Sequence, residues 1–153
     1  MERIEVALVG AGRMGQVDGP NAARTPGLRL RYVVDPRPEA AAAMAAATGA
    51  EPATLEQALA DPALGGVLVC SSTDQHLANA LAAVEAGKAI FCEKPIDQDL
   101  QKVMQARPRF EGARFLLGFN RRFDPHFKAL KQKLDAGAIA ALASMQMINH
   151  DPA

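Results

Sequence analysis

The sequence predicts an α/β fold, a doubly wound parallel sheet, and three observations carry that prediction. Apolar runs of strand length alternate with helical stretches along all 153 residues, the pattern of strands joined by crossover helices. A glycine-rich turn, Gly10-Ala11-Gly12-Arg13-Met14-Gly15, follows the first run directly. An acidic residue, Asp35, ends the second.

Taken in order, residues 4–9 form an apolar run that reads as a buried parallel strand. The glycine turn then opens a helix, but Asp18-Gly19-Pro20 interrupts it. Proline inside a helix removes a backbone donor and clashes with the preceding turn. A break or kink is therefore expected between Val17 and Pro20, with Asp18 capping a restarted segment through Asn21 and Ala22. Tyr32-Val33-Val34 is the core of a second strand ending at Asp35-Pro36. Pro38 near the first position and Gly49 past the last bound a second helix.

A short third strand fits near Ala50-Glu51, and Thr54-Leu55-Glu56-Gln57 is a capping box for a helix reaching about Ala60. Gly66-Val67-Leu68-Val69-Cys70 and Ala89-Ile90-Phe91-Cys92 are further buried strands. Between them, Ser71-Ser72-Thr73 caps a helix that stops before Gly87. A helix over 97–106 leads to a sixth strand, Arg114-Phe115-Leu116-Leu117-Gly118. Asp124-Pro125, a capping residue followed by a first-turn proline, opens a last helix ending near Gly137. Residues 142–148 read as one more strand with no partner in the finished sheet, an apolar edge that predicts either self-association or a disordered tail.

Composition narrows the function classes. Hydrophobic residues at 49% and charged ones at 22% are those of a globular chain, and the length admits one domain of ordinary size. Seventeen basic residues balance seventeen acidic ones, which gives no electrostatic footprint for nucleic acid or an anionic membrane. No apolar run reaches the roughly eighteen residues of a membrane span, and the N-terminus lacks the succession of a signal peptide. The expected compartment is cytoplasmic. Cys70 and Cys92 have neither CxxC spacing nor a scaffold count, so both read as small buried hydrophobes, and no metal site is assigned.

The glycines carry the first chemistry. Gly10 permits a tight turn, Gly12 lets backbone approach a pyrophosphate, Gly15 allows close helix packing, and Arg13 and Met14 complete the turn. Asp35, twenty residues after Gly15, stands where a carboxylate grips a ribose 2′-hydroxyl. Together they read as a dinucleotide site. A carboxylate repels the 2′-phosphate of NADP and favours NAD, yet Arg37 could meet that phosphate, so NADP stays open.

Ser71, Ser72, Thr73 and His76 follow the fourth strand, and Glu93-Lys94-Pro95 follows the fifth, all at the edge facing the expected crevice. A lysine there can donate to a nicotinamide ribose or a substrate hydroxyl. With the triplet taken alone, Lys94 reads rather as an ordinary surface lysine, and a single histidine such as His76 also passes as a structural helix cap.

In this order, "GAGRMG", the strand-ending aspartate, "CSSTDQH", "AGKAIFCEKPID" and "GFNRRFDPHF" resemble the family of glucose-fructose oxidoreductase and inositol 2-dehydrogenase. The similarity covers essentially the whole chain, and "GFNRRFDP" with Glu-Lys-Pro is most similar to the inositol 2-dehydrogenase branch. The resemblance implies a Rossmann domain over residues 1–120 that binds NAD, and enzymes that oxidise a secondary alcohol of a polyol or sugar by hydride transfer. It implies that Lys94 is the catalytic lysine lying against substrate and nicotinamide, and that Pro95 follows a cis peptide bond. Asn120, Arg121 and Arg122 match the segment that closes over the nicotinamide, and His76 matches a residue bordering the site. A homo-oligomer is the expected assembly.

The departures are specific. Asp18 stands where the family has a histidine, Ala140-Ala141 replace a glycine and an acidic residue, and His150 replaces an arginine. Residues 121–153 match only a connecting helix and the first strand of the family's second α+β domain, which is thus expected to be largely absent. That domain supplies an aspartate and a histidine for proton transfer, so cofactor binding with little turnover is expected of this polypeptide alone. The alternative from a different class is a nucleotide-binding or sensing module without catalysis.

Overall fold

The computed structural model describes residues 3–138, 141–146 and 148. Its contacts divide the chain into two units, Met1–Gly118 and Phe119–Ala153. The first unit holds six strands: β1 (Ile4–Val9), β2 (Leu28–Val34), β3 (Glu51–Pro52), β4 (Leu64–Val69), β5 (Ala89–Cys92) and β6 (Phe115–Leu117). They form one sheet in the order β3-β2-β1-β4-β5-β6. All five pairings are parallel, as the alternation of apolar runs with helices requires.

The crossovers are α1 (Gly15–Arg24), α2 (Pro38–Thr48), α3 (Leu55–Ala60), α4 (Thr73–Glu85) and α5 (Leu100–Ala106). Two apolar clusters show that both faces of the sheet are covered. Val6, Leu8, Leu30 and Val33 pack with Ala41, Met44 and Ala45 of α2. Ala7, Val9, Val67 and Val69 pack with Ala58 of α3 and Ala80 and Ala83 of α4. The alternation of β1 residues between the two clusters is the period-two consequence of a strand buried on both sides.

Local chemistry sets most helix ends. Thr54 and Gln57 form the reciprocal capping box at α3. Gly49 takes a left-handed φ of 73° after α2. Asp99 caps α5 by accepting from the amides of Gln101 and Lys102, so that helix starts three residues later than expected.

The expected break in α1 does not occur. The helix runs through Pro20 to Arg24. The lost donor orphans only the carbonyl of Gln16, an exposed residue whose oxygen water can serve. Gly19 meanwhile lies against the core: a Cβ there would sit 2.9 Å from Leu8 Cδ2 and 3.0 Å from Met44 Sδ. Packing at the residue before the proline holds the helical path that sequence alone disfavours. Nor does Asp18 cap a restarted segment; its carboxylate accepts from Cys70 Sγ at 3.4 Å.

The second unit contains a 3-10 turn (Asn120–Phe123) and α6 (Pro125–Asp135), capped by Asp124, which accepts from the amides of His126 and Phe127. Residues 141–146 and 148 form no strand, contrary to expectation. A seven-residue apolar run does not fix strand structure unless another strand takes up its backbone groups. Met147, Ala140 and His150, which belonged to that expectation or to the family departures, lie outside the described residues.

Candidate cofactor site

Sheet register builds the site. Val34 and Val69 both stand opposite Val9, and Cys92 stands opposite Val69. The residues that follow, Asp35, Gly10, Cys70 and Glu93, therefore line one edge. Backbone bonds continue the row: Gly10 N–H donates to Val34 at 2.7 Å, Cys70 to Val9 at 2.8 Å and Glu93 to Val69 at 2.9 Å. Strand order reverses between β1 and β4, the place where sheets of this kind open a crevice.

The three fingerprint glycines do different work. Gly10 has φ 101°, and a Cβ on it would lie 2.5 Å from both Cys70 O and Ser71 N. Its bareness lets the loop after β4 press on the turn. A Cβ on Gly15 would lie 2.0 Å from the Gly10 carbonyl oxygen, so Gly15 closes the turn on itself. At Gly12 a Cβ would meet nothing within 4 Å. There the backbone faces open space.

The amides of Gly12, Arg13 and Met14 donate to no backbone acceptor among the described residues, and α1 has no side-chain cap. Unclaimed amides at the positive end of a helix fit a pyrophosphate.

Asp35 ties the end of β2 to that turn. Its Oδ2 accepts from the Ala11 amide at 2.8 Å, while Oδ1 accepts from the Arg37 amide at 2.9 Å and Arg37 Nε at 3.2 Å. Burial raises the carboxyl pKa, but bonds from the Arg37 and Ala11 amides and from the Arg37 guanidinium outweigh it and leave the group below its usual range. A lowered folded value means that the carboxylate stabilises the fold fully above its unfolded pKa of about 3.9, and less as pH falls through the folded value. Asp35→Asn is expected to flatten that part of the acid transition, measured by circular dichroism against pH.

On the β4 side, Asn79 Nδ2 donates to Ser71 Oγ at 3.0 Å, and His76 lies buried with Nε2 2.9 Å from the Ser71 carbonyl oxygen and Nδ1 2.7 Å from that of Pro95. Ser72 is the N-cap of α4 and Thr73 its first residue. Sequence reading missed Asn79, although it falls three residues after His76 and so on the same helix face. It missed the Asp18–Cys70 contact too, which joins residues 52 positions apart. Burial, then the Asp18 carboxylate, pushes the Cys70 thiol up, and burial pushes Cys92 up to about 12. Both remain thiols, consistent with their reading as buried apolar groups.

After β5, Glu93 is buried and its Oε2 accepts from the Lys94 amide at 3.3 Å. The Lys94–Pro95 peptide is cis, as the resemblance implied, and Lys94 itself is exposed. The first unit thus gathers Gly10, Gly12, Arg13, Met14, Gly15, Asp35, Arg37, Ser71, Ser72, Thr73, His76, Glu93, Lys94 and Pro95 on four neighbouring loops. Asn120 and Arg122 belong to the 3-10 turn of the second unit, where Arg122 lies over the Phe123 ring at 5.8 Å and Arg121 over Phe127 at 5.2 Å.

Residues 4–114 match the family described as oxidoreductase family, NAD-binding Rossmann fold. The chain belongs to that family. Within this oxidoreductase family it is 38% identical over 151 residues to inositol 2-dehydrogenase of Rhizobium meliloti, covering 97% of this chain and 46% of that protein. It resembles the crystal structure of a myo-inositol dehydrogenase from Corynebacterium glutamicum, with TM-score 0.83 and 38% identity over 90% of this chain and 42% of that one. A scyllo-inositol dehydrogenase from Lactobacillus casei, solved with bound NAD(H) and scyllo-inositol, matches with TM-score 0.84 and 26% identity over 91% and 43% of the two chains. The chain spans about half the length of the relatives it matches. Among the described residues no helix is long and apolar enough to cross a membrane.

Proposed function

We propose that the whole protein oxidises a secondary alcohol of an inositol or related polyol or sugar, with NAD as hydride acceptor, and that these residues supply its cofactor-binding half. The observation that carries the proposal is the shared sheet edge. Unclaimed amides at Gly12, Arg13 and Met14, the Asp35 carboxylate and Lys94 all stand at the strand ends of one crevice, in a chain whose relatives are inositol dehydrogenases.

In this reading the three amides hold the pyrophosphate, and Gly10 and Gly15 hold the turn that presents them. Asp35 accepts from the ribose 2′-hydroxyl. Arg37, already paired with Asp35, leaves a carboxylate rather than a free cation at that position, which favours NAD over NADP. Ser71, Ser72, Thr73, His76, Glu93 and Pro95 shape the nicotinamide end. Lys94 donates to the reacting hydroxyl and fixes its orientation, the contribution that positioned donors make to such steps. Bound NAD supplies the ring that accepts the hydride. The protein works in the cytoplasm as a homo-oligomer.

Calorimetric titration of this chain with NAD, NADH and NADP is the first test. Binding of NAD in preference to NADP is expected; no binding of any of them removes the reading. The second is NADH formation by the whole protein with inositols and hexoses, where inactivity on every polyol would overturn the substrate class. A change of solution mass on NAD addition, without turnover, would favour a sensing module instead.

A further inference from the structure

His76 is 3% exposed and its ring lies between two backbone carbonyls, Ser71 O at 2.9 Å from Nε2 and Pro95 O at 2.7 Å from Nδ1. Carbonyl oxygens only accept. A neutral imidazole has one N–H, so in this position its second nitrogen would turn a lone pair toward an oxygen lone pair, away from water. The imidazolium donates to both.

We propose that His76 is a positioning residue that carries a proton on each ring nitrogen and so clamps the loop after β4 to the loop after β5. Lys94, adjacent to Pro95, is held by that clamp relative to the glycine turn. The contacts are continuous. Gly10, lacking a Cβ, receives the Cys70–Ser71 backbone; Asn79 holds the Ser71 hydroxyl; His76 holds the Ser71 carbonyl on one side and the Pro95 carbonyl on the other. Loss of one ring proton removes one donor and releases one loop from the other.

The charged and titratable groups on the surrounding segments suit this state. Asp74, in the first turn of α4, has its carboxyl held below the usual range by hydrogen bonds with Ser72 and Gln75, the nearby His76 ring being the smallest cause. Cys70, which precedes Ser71, stays an uncharged thiol. Glu93 is buried one residue before Lys94, and Lys94 is exposed.

The proposal rests on the reading of this edge as an NAD site, but its first readout does not. Ring-nitrogen NMR of the chain, with the His76 signals assigned by their loss in His76→Gln among only three histidines, is expected to show both nitrogens protonated near neutral pH. NAD affinity is expected to fall about tenfold as pH rises through loss of the second ring proton, a typical coupling between linked sites. His76→Gln is expected to bind NAD about tenfold more weakly and without that pH dependence. An unprotonated ring nitrogen near neutral pH in the parent chain overturns the clamp, as does an unchanged pH slope in His76→Gln. A doubly protonated ring in a chain that binds no NAD at any pH supports the clamp and defeats the cofactor reading.

Discussion

Gly12→Ala is expected to fold as the parent does and to lose NAD, whereas Gly10→Ala, two residues earlier, is expected to lose the fold. A Cβ at position 12 meets nothing within 4 Å, so the protein itself has no objection to it. The methyl group fills space that the proposed pyrophosphate needs, beside the unclaimed amides of Arg13 and Met14. At position 10 the φ of 101° strains any side chain, and the new atom would lie 2.5 Å from backbone atoms of Cys70 and Ser71, which cannot rotate away. Strain of that kind costs on the order of 1–3 kcal/mol before the ends of β1 and β4 are forced apart. Against a typical total stability of about 5–15 kcal/mol that is a large fraction. Urea unfolding and NAD titration of the two variants separate the effects. If Gly12→Ala keeps its affinity for NAD, the turn is not where the phosphates bind.

The second large effect is expected at Lys94. In the whole protein, Lys94→Met should lower kcat by about 100- to 10,000-fold, the range for a positioned proton-transferring or hydrogen-bonding group. The side chain is exposed and forms no ion pair with a carboxylate among the described residues, so stability should be unaffected. NAD affinity should change little. A raised KM for the polyol with kcat unchanged would instead mark Lys94 as a residue that binds ground state and transition state equally.

Much of this fold is legible in the sequence because its signals are local. The capping box at Thr54, the Pro38 to Gly49 asymmetry and the strand runs each lie within one element. The glycine turn and Asp35 are legible for the same reason, their spacing reporting one strand–turn–helix unit. What escapes sequence reading depends on distant partners. The helical path through Pro20 is held by Gly19 against Leu8 and Met44, and no window around the proline contains either. Asp18 looks like a cap until Cys70 is brought beside it. His76 shows its character only when carbonyls from positions 71 and 95 arrive at both ring nitrogens. The apolar run over 142–148 misled because hydrophobicity reports a wish to be covered, not the geometry of the cover.

The position of β1 has a consequence for how the chain is made. Of the six strands of this sheet it is the first to be made, yet it is flanked by β2 on one side and β4 on the other. Its second neighbour, Leu64–Val69, is synthesised some sixty residues later. Until then Val6, Leu8 and their neighbours have a vacant flank of unpaired amides and carbonyls on the growing chain. Parallel partners separated in this way bring a slow, late closure of the sheet. The nascent chain is thus most in need of chaperone protection between the emergence of β2 and that of Val69, and truncations ending inside that window should be the most prone to aggregate.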